Sequence, residues 1–204
     1  MKNINKFITE KFKISANSIV TYKPTSRKEL RDIIIKLLEE DGPDADLNCI
    51  NTTKITDMNH LFARISSRVG NVNVSRWDVS NVEDMSFMFC DCKKFNCDIS
   101  KWNVGQVKNM SGMFCDCESF NQDVSDWDVS NCENFEEMFE NCKSFNSNMR
   151  GWDMKSAKDV QNMFFGARKF EGKGLDSWKL PSSCWRRSNM LTDTDVKNKN
   201  NIFN

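Results

Sequence analysis

The fold class the sequence predicts is an α+β repeat solenoid, a stack of coils each built from a short strand and a short helix, behind an N-terminal helical cap. Three observations predict it. Trp77, Trp102, Trp127, Trp152 and Trp178 recur at spacings of 25, 25, 25 and 26 residues. The segments between them align almost without gaps: WDVSNVEDMSFMFCDCKKFNCDISK, WNVGQVKNMSGMFCDCESFNQDVSD, WDVSNCENFEEMFENCKSFNSNMRG and WDMKSAKDVQNMFFGARKFEGKGLDS. Ahead of them, residues 26–41 carry a helix-start signal followed by an apolar stripe of helical period.

Residues 1–54 are assigned to the cap. Ser26 and Glu29 form a capping-box pattern, and Leu30, Ile33, Ile34, Leu37 and Leu38 make one apolar face. Gly42 and Pro43 stop the helix. A cap is needed because the first coil would otherwise expose its apolar end and its backbone edge. Residues 55–185 form the array, with one partial unit, four clear ones and a degenerate end. The partial unit runs through Ile55, Met58, Leu61 and Phe62 to Val74. In the last unit Glu171 breaks the asparagine phase, and Gly172 and Gly174 loosen the predicted strand. Residues 186–204 are polar and aperiodic, and read as a frayed tail.

A fixed period makes the inward positions legible. Phe89, Phe114, Phe139 and Phe164 share one phase; Met88, Met113, Met138 and Met163 share another; Phe95, Phe120, Phe145 and Phe170 form a third. With the tryptophans these are the predicted repeat core, accompanied by a small-residue phase at Cys92, Cys117, Cys142 and Ala167. The chain repeats its core rather than its surface, as expected when a unit buries its apolar face only against its neighbours. Met85, Met88, Phe89 and Cys92 have the i, i+3, i+4, i+7 spacing of a short helix. Phe95, Cys97 and Ile99 alternate as a strand would. Asn96, Asn121 and Asn146 hold one phase and are expected to satisfy backbone groups of adjacent coils. Glu83, Lys108, Glu133 and Lys158 alternate in sign, as do Lys93, Glu118 and Lys143, which predicts attractive pairs between stacked coils.

The 29 basic and 29 acidic side chains cancel, so no positive field exists to hold nucleic acid. No stretch approaches the roughly 18 apolar residues of a membrane span, and the first twenty residues contain no apolar run suited to a leader. The nine cysteines are odd in number and read as reduced thiols. The chain as written is therefore expected in the cytoplasm, and at the cell surface if a leader is missing from it.

No catalytic or cofactor-binding residue is predicted. The thiols nearest to a zinc set are Cys90, Cys92, Cys115 and Cys117, but the phases turn Cys92 and Cys117 inward, and the third unit offers Glu140 in place of a partner thiol. His60, the one histidine, lies at a variable phase with Phe87, Gly112, Glu137 and Asn162, which assigns it to the surface rather than to a catalytic group. Asp78, Asn103, Asp128 and Asp153 read as turn caps rather than as calcium ligands. Phe87 and Phe165 are the candidate contact residues, being aromatic where other units are polar.

The recurrent W-D-V-S-N-V-x-D-M-S-x-M-F-x-x-C-x-x-F-N-x-D-I-S resembles the repeat of BspA-like bacterial surface proteins and mycoplasma lipoproteins, over about residues 52–178. The resemblance implies a leucine-rich-repeat-like solenoid, roles in adhesion or protein–protein contact, and no catalytic residues or cofactor. The functional expectation is a non-catalytic protein-interaction or scaffold module with a protein partner. An exported adhesin is the alternative, and a zinc-stabilised module through the cysteine pairs stands third.

Overall fold

The computed structural model describes residues 21–197. The reading of the first twenty residues as lacking a leader, and the last seven residues of the predicted tail, lie outside that range. Within it one α-helix stands, α1 (Arg27–Asp41). The Ser26 side chain caps it by accepting from the Glu29 N–H, and the Glu29 carboxylate accepts from the Thr25 N–H at 2.8 Å. Leu30, Ile34, Leu37 and Leu38 are buried.

The predicted solenoid of strands and helices is not what the chain builds. Among the described residues no sheet forms; neighbouring units are joined by isolated parallel bridges, Asp57 to Asp84 to Asn109 to Asn134 to Asp159 to Arg186. The expected repeat helices are also absent, and the reason is visible in the backbone. Phe87 and Asp91 have φ of 53° and 64°, and their counterparts Gly112, Asp116, Glu137, Asn141, Asn162 and Gly166 are likewise left-handed. A right-handed helix cannot contain such a residue every fourth position. Instead Met88 donates to Met85 O and Cys92 to Phe89 O, closing consecutive tight turns. Two turns in a row return side chains to one face at the spacing of a helix, so the apolar stripe comes from paired turns and not from a helix.

The predicted strand fails for a related reason. Each of the first three clear units turns three corners, at each of which an Asn or Asp side chain accepts the N–H two residues on. The fourth keeps the two at Asp153 and Asp159 and has Lys173 at the third. In the first unit the corners are Asp78 to Ser80, Asp84 to Ser86 and Asp98 to Ser100. In the second they are Asn103 to Gly105, Asn109 to Ser111 and Asp123 to Ser125. A corner at Asp98 bends the segment that alternation marked as extended.

The result is a column of stacked turns. Between adjacent coils the N–H groups of Met85, Phe87, Phe89 and Asp91 donate to the carbonyls of Asn109, Ser111, Met113 and Cys115. The same four phases repeat coil after coil, with every such N–H directed toward the C-terminal end and every accepting carbonyl toward the N-terminal end. Inside, Phe62, Phe89, Phe114, Phe139 and Phe164 stack with centroids 4.9, 5.9, 5.6 and 5.5 Å apart. Phe95, Phe120, Phe145 and Phe170 form a parallel pile at 6.0, 6.0 and 5.8 Å. Each indole N–H crosses to the preceding coil: Trp77 to Leu47 O, Trp102 to Val74 O, Trp127 to Ile99 O, Trp152 to Val124 O and Trp178 to Met149 O. This use of the indole satisfies the one polar atom of a buried Trp.

Both predicted boundaries shift. The column starts before residue 55: Asp46 bridges Asn73, with the Leu47 N–H donating to Asn73 O and the Asn73 N–H to Ala45 O. It also continues past residue 185. Residues 186–197 are not a frayed tail, because Met190, Leu191 and Val196 are buried, and the carbonyls of Arg186, Ser188, Met190 and Thr192 accept from Val160, Asn162, Phe164 and Gly166. Arg186 sits 27 residues after its bridge partner Asp159. Two extra residues moved this last coil off the 25-residue phase and hid it.

Candidate contact surface

The predicted core residues (Trp77, Trp102, Trp127, Trp152 and Trp178, with the Met88, Phe89 and Phe95 phases and their repeats) are all buried. The polar ladder at the next phase is continuous. Oδ1 of Asp44, Asn71, Asn96, Asn121 and Asn146 accepts in turn from the N–H of Asn71, Asn96, Asn121, Asn146 and Glu171. The alternating charges pair across coils, Lys108 with Glu83 at 2.7 Å, Lys158 with Glu133 at 2.6 Å and Lys143 with Glu118 at 3.0 Å. Asp78 and Asp128 serve as turn caps: their carboxyls are held below the usual range by hydrogen bonds from the hydroxyl and N–H of Ser80 and Ser130.

The four zinc-candidate thiols do not converge. Cys92 and Cys117 lie in the core, where Cys117 Sγ donates to Phe89 O at 3.0 Å. Cys142 does the same to Phe114 O at 3.0 Å, and burial pushes all three thiols up. Cys90 is half-buried, and the nearly enclosed Cys115 has its Sγ donating to Asp116 Oδ2 at 3.5 Å. Among the described residues no group of three or more His, Cys, Asp or Glu is placed to hold a metal ion.

The expected contact residues behave differently from their assignment. Phe87 is half-buried. Its ring stacks on His60 at 4.8 Å and on its other side fills the space over Gly112, where an added Cβ would come within 2.3 Å of a ring carbon. His60 is half-buried too, and burial followed by Arg64, Arg27 and Arg31 lowers its pKa. The variable phase is thus an internal packing feature, with glycine at position 112 because an aromatic precedes it in the stack. Phe165 is half-buried as well.

One large apolar side chain is exposed among the described residues, and it was not singled out from sequence. Trp185 is 75% exposed. Its N–H donates to Lys158 O at 3.1 Å, which puts it at the phase held by the charged Glu83, Lys108, Glu133 and Lys158. Arg186 lies with its guanidinium carbon 5.5 Å from the ring centroid. That guanidinium is fixed by Asp159 at 2.7 Å and Glu136 at 2.6 Å. The exposed Arg187 donates to Cys184 O and Pro181 O, so the indole stands on a firmly held edge. An aromatic at an otherwise charged phase was the right signal, but the 27-residue step placed Trp185 outside the tryptophan register.

Comparison with known families supplies an assignment. The description "Mycoplasma protein of unknown function, DUF285" matches residues 56–178 and 109–202. The chain belongs to this family. No curated protein and no solved structure matches it. The DUF285 match covers the column from the Asp57 bridge onward and leaves out its first coil, which bridges Asp46 to Asn73. No helix among the described residues of this DUF285 protein is long and apolar enough to cross a membrane.

Proposed function

We propose that the chain is a non-catalytic protein-interaction module, related to the BspA-like repeat proteins, that binds a protein partner at the edge of its last coil. The observation that carries the reading is Trp185, a 75% exposed indole beside the Arg186 guanidinium. Rigid aromatics beside arginine dominate protein contact energies because they bring large area at small entropic cost. A non-catalytic role is supported by how the polar side chains are used: the asparagines, the turn aspartates and the indole N–H groups are bonded to the protein's own backbone. The compartment we infer is the cytoplasm, on the ground that the cysteines serve as reduced core and surface thiols.

The test compares the intact chain with Trp185→Ala as baits in lysate of the native cells. Replacing an exposed side chain leaves stability within about 0.5 kcal/mol, so the variant is a folded control. A protein retained by the first bait and lost with the second is the expected result; the same proteins on both, or none, overturns the reading. Antibody labelling of intact cells would reverse the compartment and favour an adhesin.

A further inference from the structure

We propose that Cys90 and Cys115 are an oxidation site, joined into a disulfide between adjacent coils by a peroxide. The two residues occupy the same phase of successive units, and Asp91 N donates to Cys115 O at 2.8 Å, which fixes the coils in register at that point. Adjacent parallel chains lie about 4.8 Å apart, inside the roughly 4.4–6.8 Å Cα separation that a disulfide spans. The side chains project the same way, since the backbone around them matches, with left-handed Phe87 and Asp91 in one coil and Gly112 and Asp116 in the next.

The pair differs from the other in-register cysteines in two respects. Cys92, Cys117 and Cys142 are fully enclosed, and the last two donate to main-chain carbonyls. Cys90 is half-buried and reaches solvent, whereas Cys115 is 9% exposed behind it. The second respect is acidity. The neighbouring Cys115 thiol lowers the Cys90 pKa, outweighing burial and the nearby Asp116, Asp91 and Glu137, while Cys90 and burial raise that of Cys115. Cys90, the thiol that peroxide can reach, is therefore the nucleophile, and Cys115 behind it the resolving thiol.

The reaction balances with hydrogen peroxide as oxidant. The Cys90 thiolate attacks one peroxide oxygen, the O–O bond breaks, and hydroxide leaves, giving a sulfenic acid on Cys90. The Cys115 sulfur then attacks the Cys90 sulfur, the S–O bond breaks, and water leaves with the Cys115 proton. Two thiols are oxidised and one peroxide is reduced to two waters. The bond closes a loop containing one whole repeat, and it adds a covalent tie to two coils joined here by the Asp91 N–H to Cys115 O and Cys117 Sγ to Phe89 O bonds.

The experiment treats the full chain with hydrogen peroxide, blocks remaining thiols with iodoacetamide, and digests with trypsin. Lysines at 93, 94, 101 and 108 separate the two cysteines, so a disulfide appears as a linked pair of peptides. The expected result is that linked pair in the intact protein and its loss in both Cys90→Ser and Cys115→Ser. Cys90→Ser, at a half-buried site, is the folded control, checked by an unchanged circular dichroism spectrum. Persistence of the link in Cys90→Ser would assign it to the enclosed Cys92 phase and overturn the proposal. So would oxidation of Cys90 to sulfinic acid with no linked peptide, or recovery of Cys90 fully alkylated.

Discussion

Trp127 is 2% exposed, and its indole N–H is bonded to Ile99 O at 3.2 Å, so one side chain acts on two coils at once. Trp127→Ala removes the aromatic volume and is expected to cost about 3–5 kcal/mol, read from a denaturant titration. Trp127→Phe keeps most of the volume but leaves Ile99 O unpaired, for a smaller loss of about 1–3 kcal/mol. A second residue answers to pH. Burial, then the nearby Glu137 and Asp116, push the Glu140 carboxyl up to about 7. Its charged form is disfavoured in the folded chain, so this group lets stability stand highest below its ordinary range. Stability is lost as pH rises toward about 7. Glu140→Gln is therefore expected to raise the unfolding midpoint at pH values above that range and to leave it unchanged in mild acid. Equal effects at both would mean that Glu140 titrates normally.

At the scale of the element, the corner is the unit of this fold. A corner needs a short side-chain acceptor, and a ladder between corners needs that acceptor repeated at the coil spacing. Asn121 accepts from Asn146 N at 2.8 Å, while its own N–H is bonded to Asn96 Oδ1 at 2.9 Å. Asn121→Ala is expected to cost about 0.5–1.5 kcal/mol, and Asn121→Asp to restore most of it. A carboxylate already fills this role at the start of the ladder, where Asp44 Oδ1 accepts from Asn71 N at 2.6 Å. Chemical denaturation of the pair of variants checks this; equal losses in the two would show that the ladder depends on the amide rather than on an acceptor. The asparagine phase and the charge alternation were legible because both are spaced by the repeat. The corners were not, since Asp and Asn followed two residues later by Ser suit a loop, a cap or a corner equally.

One face of the column is polar along its axis. Because the N–H groups of the Met85, Phe87, Phe89 and Asp91 phases all point toward the C-terminal end, this face presents carbonyls at the N-terminal end and donors at the C-terminal end. Helix α1 answers the first need: Arg27 donates to Asn59 O at 3.2 Å, and Arg31 donates to Leu61 O at 3.2 Å and to His60 O at 2.8 Å. The last coil answers the second, taking the N–H groups of Val160, Asn162, Phe164 and Gly166. A chain ending at residue 183 loses those acceptors together with Arg186 and uncovers Phe164. It is expected to melt well below the intact chain, and hydrogen exchange at Val160, Asn162 and Phe164 is expected to accelerate first. Unchanged protection at these amides would show that the preceding coil closes the column by itself.

The sequence by itself determined the period, the extent of the four clear units, the identity of the core phases and the pairing of charges between neighbours. All of these depend only on what recurs every 25 residues. The tertiary structure decided the backbone path, because a pair of tight turns and a turn of helix present the same apolar spacing. Only the φ of 53° at Phe87 and 64° at Asp91 tells them apart. It also decided where the column ends and which aromatic faces water. Those depend on a two-residue change of step that carries Arg186 beneath Asp159 and leaves Trp185 outside the core.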